Sequence, residues 1–254
     1  MRTDDSDPGA DPVRTDWRSL PHSCDEGTLY RAFLERGDRP HATDKWHHYF
    51  DVYERYFAPF RGKDVRMLEI GVQRGGSLDI WKSYFGPGSQ IVGLDIDPQC
   101  ARLASDNVRI YIGDQADREL LRRIKDECGP FDIVLDDGGH TMNQMITTFE
   151  ELYASVRCPG VYMVEDTHTC FWGGQFADRP NGETFIGRAA GLISRLHEWT
   201  GRPANFRRLG VPPTEREGET AVSSFCRTTH SVAFYDSIVV FERRQRPEPW
   251  REVR

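Results

Sequence analysis

Between residues 65 and 166 the chain alternates short apolar runs with stretches of helix length. The strand candidates are "VRMLEIG" (65–71), "QIVGLDI" (90–96), "VRIYIGD" (108–114), "FDIVLDD" (131–137) and "GVYMVED" (160–166). Helices are expected between them at 76–85, 98–105, 117–127 and 143–156. Nearly continuous apolar strands separated by helices specify a parallel sheet covered on both faces. After a Gly- and aromatic-rich loop, a further helix is expected around 186–200. "HSVAFYDSIVVFERR" then reads as two strands, 230–235 and 238–243, turning near Asp236-Ser237, which is an antiparallel hairpin.

Upstream the pattern changes. Residues 1–22 mix Asp, Pro, Gly and Arg with little apolar content and read as a loose tail. Within 23–64, Leu29, Ala32, Phe33 and Arg36 have helical spacing, with Gly37 as the stop. Tyr49, Val52, Tyr53 and Tyr56 share one face of a second helix, for which Thr43 or Asp44 is the candidate cap. The chain thus divides into a tail (1–22), a helical entry segment (23–64), an α/β domain (65–243) and a polar tail (244–254). Its 254 residues suffice for one large domain with a substantial core.

Composition excludes more than it assigns. A net charge of −7 argues against a nucleic-acid or anionic-membrane partner, since such proteins carry a basic face. No run approaches the roughly 18 apolar residues of a membrane span. The first residues contain no apolar segment of the secretory kind, so a cytoplasmic location is expected. The 6 cysteines include no CxxC pair, so reduced thiols are expected rather than a disulfide framework or a zinc site.

The candidate chemistry lies at the strand ends. "LEIGVQRGGSLDIW" places Glu69, Gly71, Gly75 and Gly76 where the first strand turns into a helix, the ligand crevice of a doubly wound sheet. The spacing E-x-G-x-x-x-G departs from the dinucleotide fingerprint. It resembles the first motif of class I S-adenosylmethionine-dependent methyltransferases, whose ligand is a nucleoside bearing an amino acid. Asp95 can accept ribose hydroxyls at the second strand end, with Asp97 competing for the role. Asp114 and Gln115 can take an adenine amino group at the third, and Asp136 ends the fourth beside the same crevice. Each acid alone could be a helix cap. Four at successive strand ends on one rim favour a nucleoside site.

"VLDDGGHT" and "VYMVEDTHT" repeat an acid–acid arrangement followed by histidine at the ends of neighbouring strands. Asp137, His140, Glu165 and Asp166 can therefore converge. Clustered carboxylates repel unless a cation lies among them, and hard oxygen donors suit Mg²⁺ or another divalent ion. Such an ion can hold a substrate's hydroxyl pair and lower the pKa of the one that reacts. His140 is then the natural general base, with His168 as its rival. An iron(II) facial triad of His140, Asp166 and His168 is the minority reading. His22, His41, His197 and His230 read as structural hydrogen-bonders, and His47 and His48 are left open.

With these stretches assembled, the chain resembles the metal-dependent sugar O-methyltransferases of antibiotic biosynthesis, the enzymes that methylate deoxysugars of macrolides, tetracenomycins and enediynes. "TDKWHHYFDVYERYFAPFR", "GLDIDP", "GDQAD", "GVYMVEDTHTCFW" and "SVAFYDSIVVFE" carry the likeness beside the two motifs above, over about 43–242. The resemblance implies a Rossmann-like class I methyltransferase fold, a mostly parallel seven-stranded sheet with a C-terminal antiparallel hairpin and helices on both faces. It implies S-adenosylmethionine and Mg²⁺ as cofactors, Asp137, Glu165 and Asp166 as metal ligands, and His140 with Asp137 as the catalytic pair. Glu69, Gly71, Gly75, Ser77, Asp95, Asp114, Gln115 and Asp136 would line the cofactor site. Lys45 and Tyr49 would belong to a lid, and with His168 and Trp172 they are the candidates for touching substrate.

The implied partner is a sugar or nucleotide sugar, within a homo-oligomer. A short loop at 170–185, with Phe171 and Trp172 available to stack on a sugar or base, leaves room for a nucleotide-linked acceptor. TDP-rhamnose, methylated on its 3-hydroxyl, is the leading expectation, and a sugar already attached to its scaffold stays open. The alternatives are an iron- and 2-oxoglutarate-dependent hydroxylase and a non-catalytic binding protein.

Overall fold

The computed structural model describes residues 28–35 and 43–251. The tail expected at 1–22, the helix stop at Gly37, and His22 and His41 lie outside the described residues. Helices α1 (Thr28–Glu35) and α2 (Tyr49–Phe57) precede β1 (Arg66–Ile70), α3 (Gly76–Phe85), β2 (Gln90–Asp95) and β3 (Val108–Ile112). Then come α4 (Arg118–Cys128), β4 (Phe131–Asp136), α5 (Met142–Leu152) and β5 (Val156–Val164). Five short helices follow: α6 (Phe185–Gly191), α7 (Ile193–Leu196), α8 (Glu198–Gly201), α9 (Pro203–Leu209) and α10 (Ser224–Thr228). The hairpin of β6 (Thr229–Tyr235) and β7 (Ile238–Arg243) completes one seven-stranded sheet of order β3-β2-β1-β4-β5-β7-β6.

Only β7 runs against its neighbours. It pairs antiparallel with both β5 and β6, so β6 is parallel to the first five strands. Alternation along the strands builds two cores. Leu68, Val134, Tyr162 and Phe241 face α4, α5 and α6, while Met67, Leu135, Met163 and Val240 face α1, α2 and α3. Helix α2 is part of the second core: Tyr53 packs edge-on to Trp81 with centroids 5.6 Å apart, and Phe57 packs on the same indole at 5.7 Å.

Three sequence expectations change. The segment 98–105 forms a 3₁₀ helix, Pro98–Leu103, because Asp97 caps it and Pro98 opens a run too short for an α-helix. The helix expected over 186–200 breaks into α6, α7 and α8 after Gly191 and at His197, since its apolar positions do not keep one face. Neither Thr43 nor Asp44 caps α2, which starts at Tyr49 after His48, with no capping side chain.

The strand order reverses between β1 and β4, and there the rim opens. Leu94, Ile70, Asp136 and Val164 form one row across four strands. One position further lie Asp95, Gly71, Asp137 and Glu165, tied by Asp137 N–H donating to Ile70 O (2.9 Å) and Glu165 N–H to Asp136 O (2.8 Å). Gly71 is required in this row. Its φ is +87°, and a Cβ there would lie 1.8 Å from the Asp137 carbonyl oxygen. Gly71→Ala is therefore expected to lower unfolding free energy by more than about 2 kcal/mol. A denaturant midpoint equal to that of the parent chain would contradict this.

Candidate active site

Two adjoining cavities open on this rim and share Gly71, Gln73 and Asp137. The smaller, about 210 Å³, is bounded by Asp95, Ile96, Asp114, Gln115 and the Gly138–Gly139 turn. The larger, about 410 Å³, is bounded by Lys45, Trp46, Tyr49, Ser77, Asp137, His140, Glu165 and Asp166.

In the smaller cavity the acids divide their duties. Asp95 accepts backbone N–H bonds from Val72 (2.8 Å), Gln73 (2.7 Å) and Asp97 (2.9 Å), which fixes the glycine turn and leaves about one lone-pair site for a ligand hydroxyl. Asp97 caps its own helix through Gln99 N–H and lies outside this cavity. Asp114 accepts from Ala116 N–H at 2.8 Å and still faces the cavity. Ile96 supplies an apolar wall: just past the end of β2 its side chain is exposed, whereas Ile91, Val92 and Leu94 within the strand are buried.

Of the residues expected to line the cofactor site, Gln115, Asp136 and Gly75 have other duties here. Gln115 reaches the cavity, but its amide is committed. Its oxygen accepts from Gly139 N–H (2.7 Å), and its nitrogen donates to Asp136 (3.0 Å) and Thr148 (3.2 Å). It props the turn that leads to His140. Asp136 lines neither cavity: alternation along β4 turns it to the opposite face from Asp137, and it is buried behind Gln115. Burial, opposed by the Gln115 hydrogen bond, pushes its carboxyl up to about 7. Gly75 also lines neither cavity; it supplies the left-handed turn (φ +80°) before α3, against Leu103.

The larger cavity is held from three directions. Asp137 and His140 follow β4, Glu165 and Asp166 follow β5, and α2 with the residues before it closes the third side. His140 and Asp166 are both left-handed, at φ +57° and +51°, conformations that His and Asp tolerate better than most residues. A bond from Thr169 Oγ1 to the His140 carbonyl (2.8 Å) ties the two loops together. His140 Nε2 lies 3.4 Å from Asp166 and 3.8 Å from Asp137.

The third side was only partly visible in the sequence. Lys45 Nζ contacts Asp137 and donates to Glu165 at 2.9 Å; Tyr49 donates to Asp166 at 2.6 Å, and Tyr53 to Glu165. Tyr53 was missed. The signal was the four-residue interval Tyr49–Tyr53, which puts both hydroxyls on one face of α2. Glu69, on the same face of the sheet, is fully buried and accepts from Trp81 Nε1 at 3.0 Å. Ser77 also hydrogen-bonds it.

Electrostatics follow from this burial. Burial pushes Glu69 up to about 7, against the pull of Lys45. Burial and the Asp137 charge raise Glu165 as well. Lys45 is itself disfavoured by burial, but Asp137 and Glu165 outweigh that and hold it charged. Burial lowers His140, partly offset by Asp137 and Asp166, and leaves a neutral imidazole near pH 7.

Among the described residues, Asp137, His140 and Asp166 bring three donor atoms within 4.8 Å of one another. The oxygen donors of Asp137 and Asp166 fit a hard divalent cation, with the His140 imidazole beside them, and the Lys45 ammonium already stands against Asp137. Glu165, expected as a third ligand, has its oxygens taken by Lys45 and Tyr53. His168 is outside the set and the cavity lining, with Nδ1 3.9 Å from Asp166, so the iron triad lacks its second histidine. Its ring lies 4.7 Å from that of Trp172, which is half exposed beyond the cavity.

No family model matches the chain. A tetracenomycin-C 3'-O-methyltransferase of Streptomyces olivaceus, which acts on the 2-methoxy-rhamnosyl compound, is 41% identical over 175 residues, 63% of this chain and 44% of that protein. The rhamnosyl tetracenomycin-C 2'-O-methyltransferase of the same organism is 35% identical over 219 residues, 80% of this chain and 53% of its own. Mycinamicin VI 2''-O-methyltransferase of Micromonospora griseorubida is 40% identical over 157 residues, 59% of this chain and 39% of that protein. The chain spans about half the length of the curated relatives it matches. The solved methyltransferase MycE, in complex with Mg, SAH (S-adenosylhomocysteine) and mycinamycin VI, superposes with a TM-score of 0.66 and 31% identity, covering 88% of this chain and 54% of that one. The sheet is therefore that of the Rossmann-like class I methyltransferase fold.

Proposed function

We propose that this chain, a homologue of the sugar O-methyltransferases of macrolide and tetracenomycin biosynthesis, methylates a deoxysugar hydroxyl with S-adenosylmethionine and a divalent cation, Mg²⁺ first. The observation that carries the reading is the pair of joined cavities. One is framed by Asp95, Ile96 and Asp114 as a nucleoside requires, and the other by the acid–histidine cluster. Gly71, at their junction, lets a ligand pass close to the backbone.

Each residue has a task in this reading. Asp95 accepts a ribose hydroxyl and Asp114 an adenine amino group, with Ile96 under the base. Asp137 and Asp166 would hold the cation, with Glu165 behind them. When bound, the cation would acidify and orient a sugar hydroxyl for near in-line attack on the sulfonium methyl. His140 accepts the hydroxyl proton at Nε2, and burial keeps that nitrogen free to do so. His168 and Trp172, neighbouring rings outside the lining of both cavities, are the aromatic faces on which a sugar bound to the Asp166 side of the pocket would rest.

Because His140 must be neutral, kcat/KM is expected to fall as pH drops through its depressed pKa, so the acid limb should centre below about 6.5. A pH–rate profile with its acid limb centred above about 7 would contradict this assignment.

The names of the two Streptomyces olivaceus relatives carry rhamnosyl acceptors, which supports an L-rhamnose-type sugar. TDP-rhamnose, at its 3-hydroxyl, is the acceptor we put first. Incubation with S-adenosylmethionine, Mg²⁺ and either TDP-rhamnose or a rhamnosylated polyketide tests the proposal. One added methyl on the sugar is expected. No methylation of any deoxysugar, from protein that binds SAH, would defeat the acceptor half of the reading.

A further inference from the structure

The acid cluster is not open to solvent on the side of α2. Lys45 has a side chain only 5% exposed, with its ammonium against Asp137 Oδ2 and 2.9 Å from Glu165 Oε2. Glu69 adds a third carboxylate whose charge is felt at the same ammonium. Tyr49 and Tyr53, one turn apart on α2, donate to Asp166 and Glu165. Asp137, Glu165 and Asp166 are thus each met by a group from residues 45–53.

Asp137 is the oxygen donor that this arrangement shares with the candidate metal set. Lys45 holds Asp137 Oδ2, and a divalent ion on the Oδ1 that faces His140 would lie beside that ammonium, so the two cations repel and weaken each other's hold on the carboxylate. Lys45 and Tyr53 each take one oxygen of Glu165, so a metal would compete with both for that carboxylate.

We propose that Lys45 is the resident cation of this pocket, that a divalent ion enters only as the ammonium withdraws from Asp137, and that Lys45 thereby sets metal affinity and links it to the placement of residues 43–48. This rests on the proposed function only for the nature of the ion, Mg²⁺. Lys45 is on this account a positioning residue: it holds Asp137 and Glu165 in place before the metal arrives and gives up its place to it. Trp46, next in the chain and lining the same cavity with its indole half exposed, moves with it.

Calorimetric titration of the EDTA-treated full chain with MgCl₂, without sugar substrate, tests the exchange. Lys45→Met should bind Mg²⁺ about tenfold or more tightly than the parent chain, because the competing charge is gone. Lys45→Arg, which keeps the charge, should not show the gain. A merely structural lysine predicts the opposite sign, since losing it would loosen the carboxylates. Equal or weaker binding by Lys45→Met, or no Mg²⁺ binding by either protein, overturns the proposal.

Should Lys45→Met fail to fold, the parent chain and Trp46→Phe decide it. Mg²⁺ should change the indole fluorescence of the parent chain in step with its calorimetric isotherm, and Trp46→Phe should lack that change. A fluorescence response independent of Trp46, or none, overturns the exchange. SAH binding, measured on the same samples, reports separately on the methyltransferase reading, because Lys45 does not line the smaller cavity.

Discussion

Replacing His140 with alanine is expected to lower kcat by about 10²–10⁴-fold, the contribution of a positioned general base, while SAH and Mg²⁺ affinities change little. Three observations set the expectation. The imidazole lines the larger cavity, burial holds it neutral, and its left-handed backbone aims it between Asp137 and Asp166 instead of out to solvent. His168 is outside the cavity lining, so His168→Ala should act mainly through KM. Single-turnover rates with saturating donor separate the two effects. A His140→Ala rate near that of the parent, with a large loss in His168→Ala, would move the base to His168.

Asp137→Ala should have the larger effect. It removes the carboxylate that both the metal set and Lys45 use, so turnover should fall by at least about 10³-fold, the several kcal/mol that a catalytic cation supplies. Mg²⁺ binding should disappear. SAH binding should persist, since Gly71 and Gly138 meet the cofactor cavity through backbone that the substitution leaves in place. Calorimetry with each ligand and a methyl-transfer assay check all three. Retained Mg²⁺ dependence would remove Asp137 from the metal set.

Much of this architecture was legible because the sheet is parallel and buried on both faces. Apolar runs end abruptly in acids, and those acids mark the rim. Alternation would also have separated Asp136 from Asp137, since consecutive strand residues face opposite sides; reading all rim acids as one lining set overlooked that. Glu165 could not be read in this way. Its partners Tyr53 and Lys45 are 112 and 120 residues away, and only the packing of α2 into the core brings them to it. The broken helix after Phe185 failed for a different reason: its apolar residues change face at each break, so no single period describes them. The resemblance marks Lys45 and Tyr49 as lid residues that touch substrate; the fold places both in the lining of the larger cavity and also bonds them to the acids, which the sequence does not reveal.

The central claim, that the rim is a methyl-donor site, is tested most directly by calorimetric titration of EDTA-treated protein with SAH, using 2-oxoglutarate as the control ligand. The account predicts micromolar SAH binding without metal and no binding of 2-oxoglutarate. No SAH binding, with 2-oxoglutarate binding once iron(II) is added, would contradict it and make the acid–histidine cluster an oxygenase site.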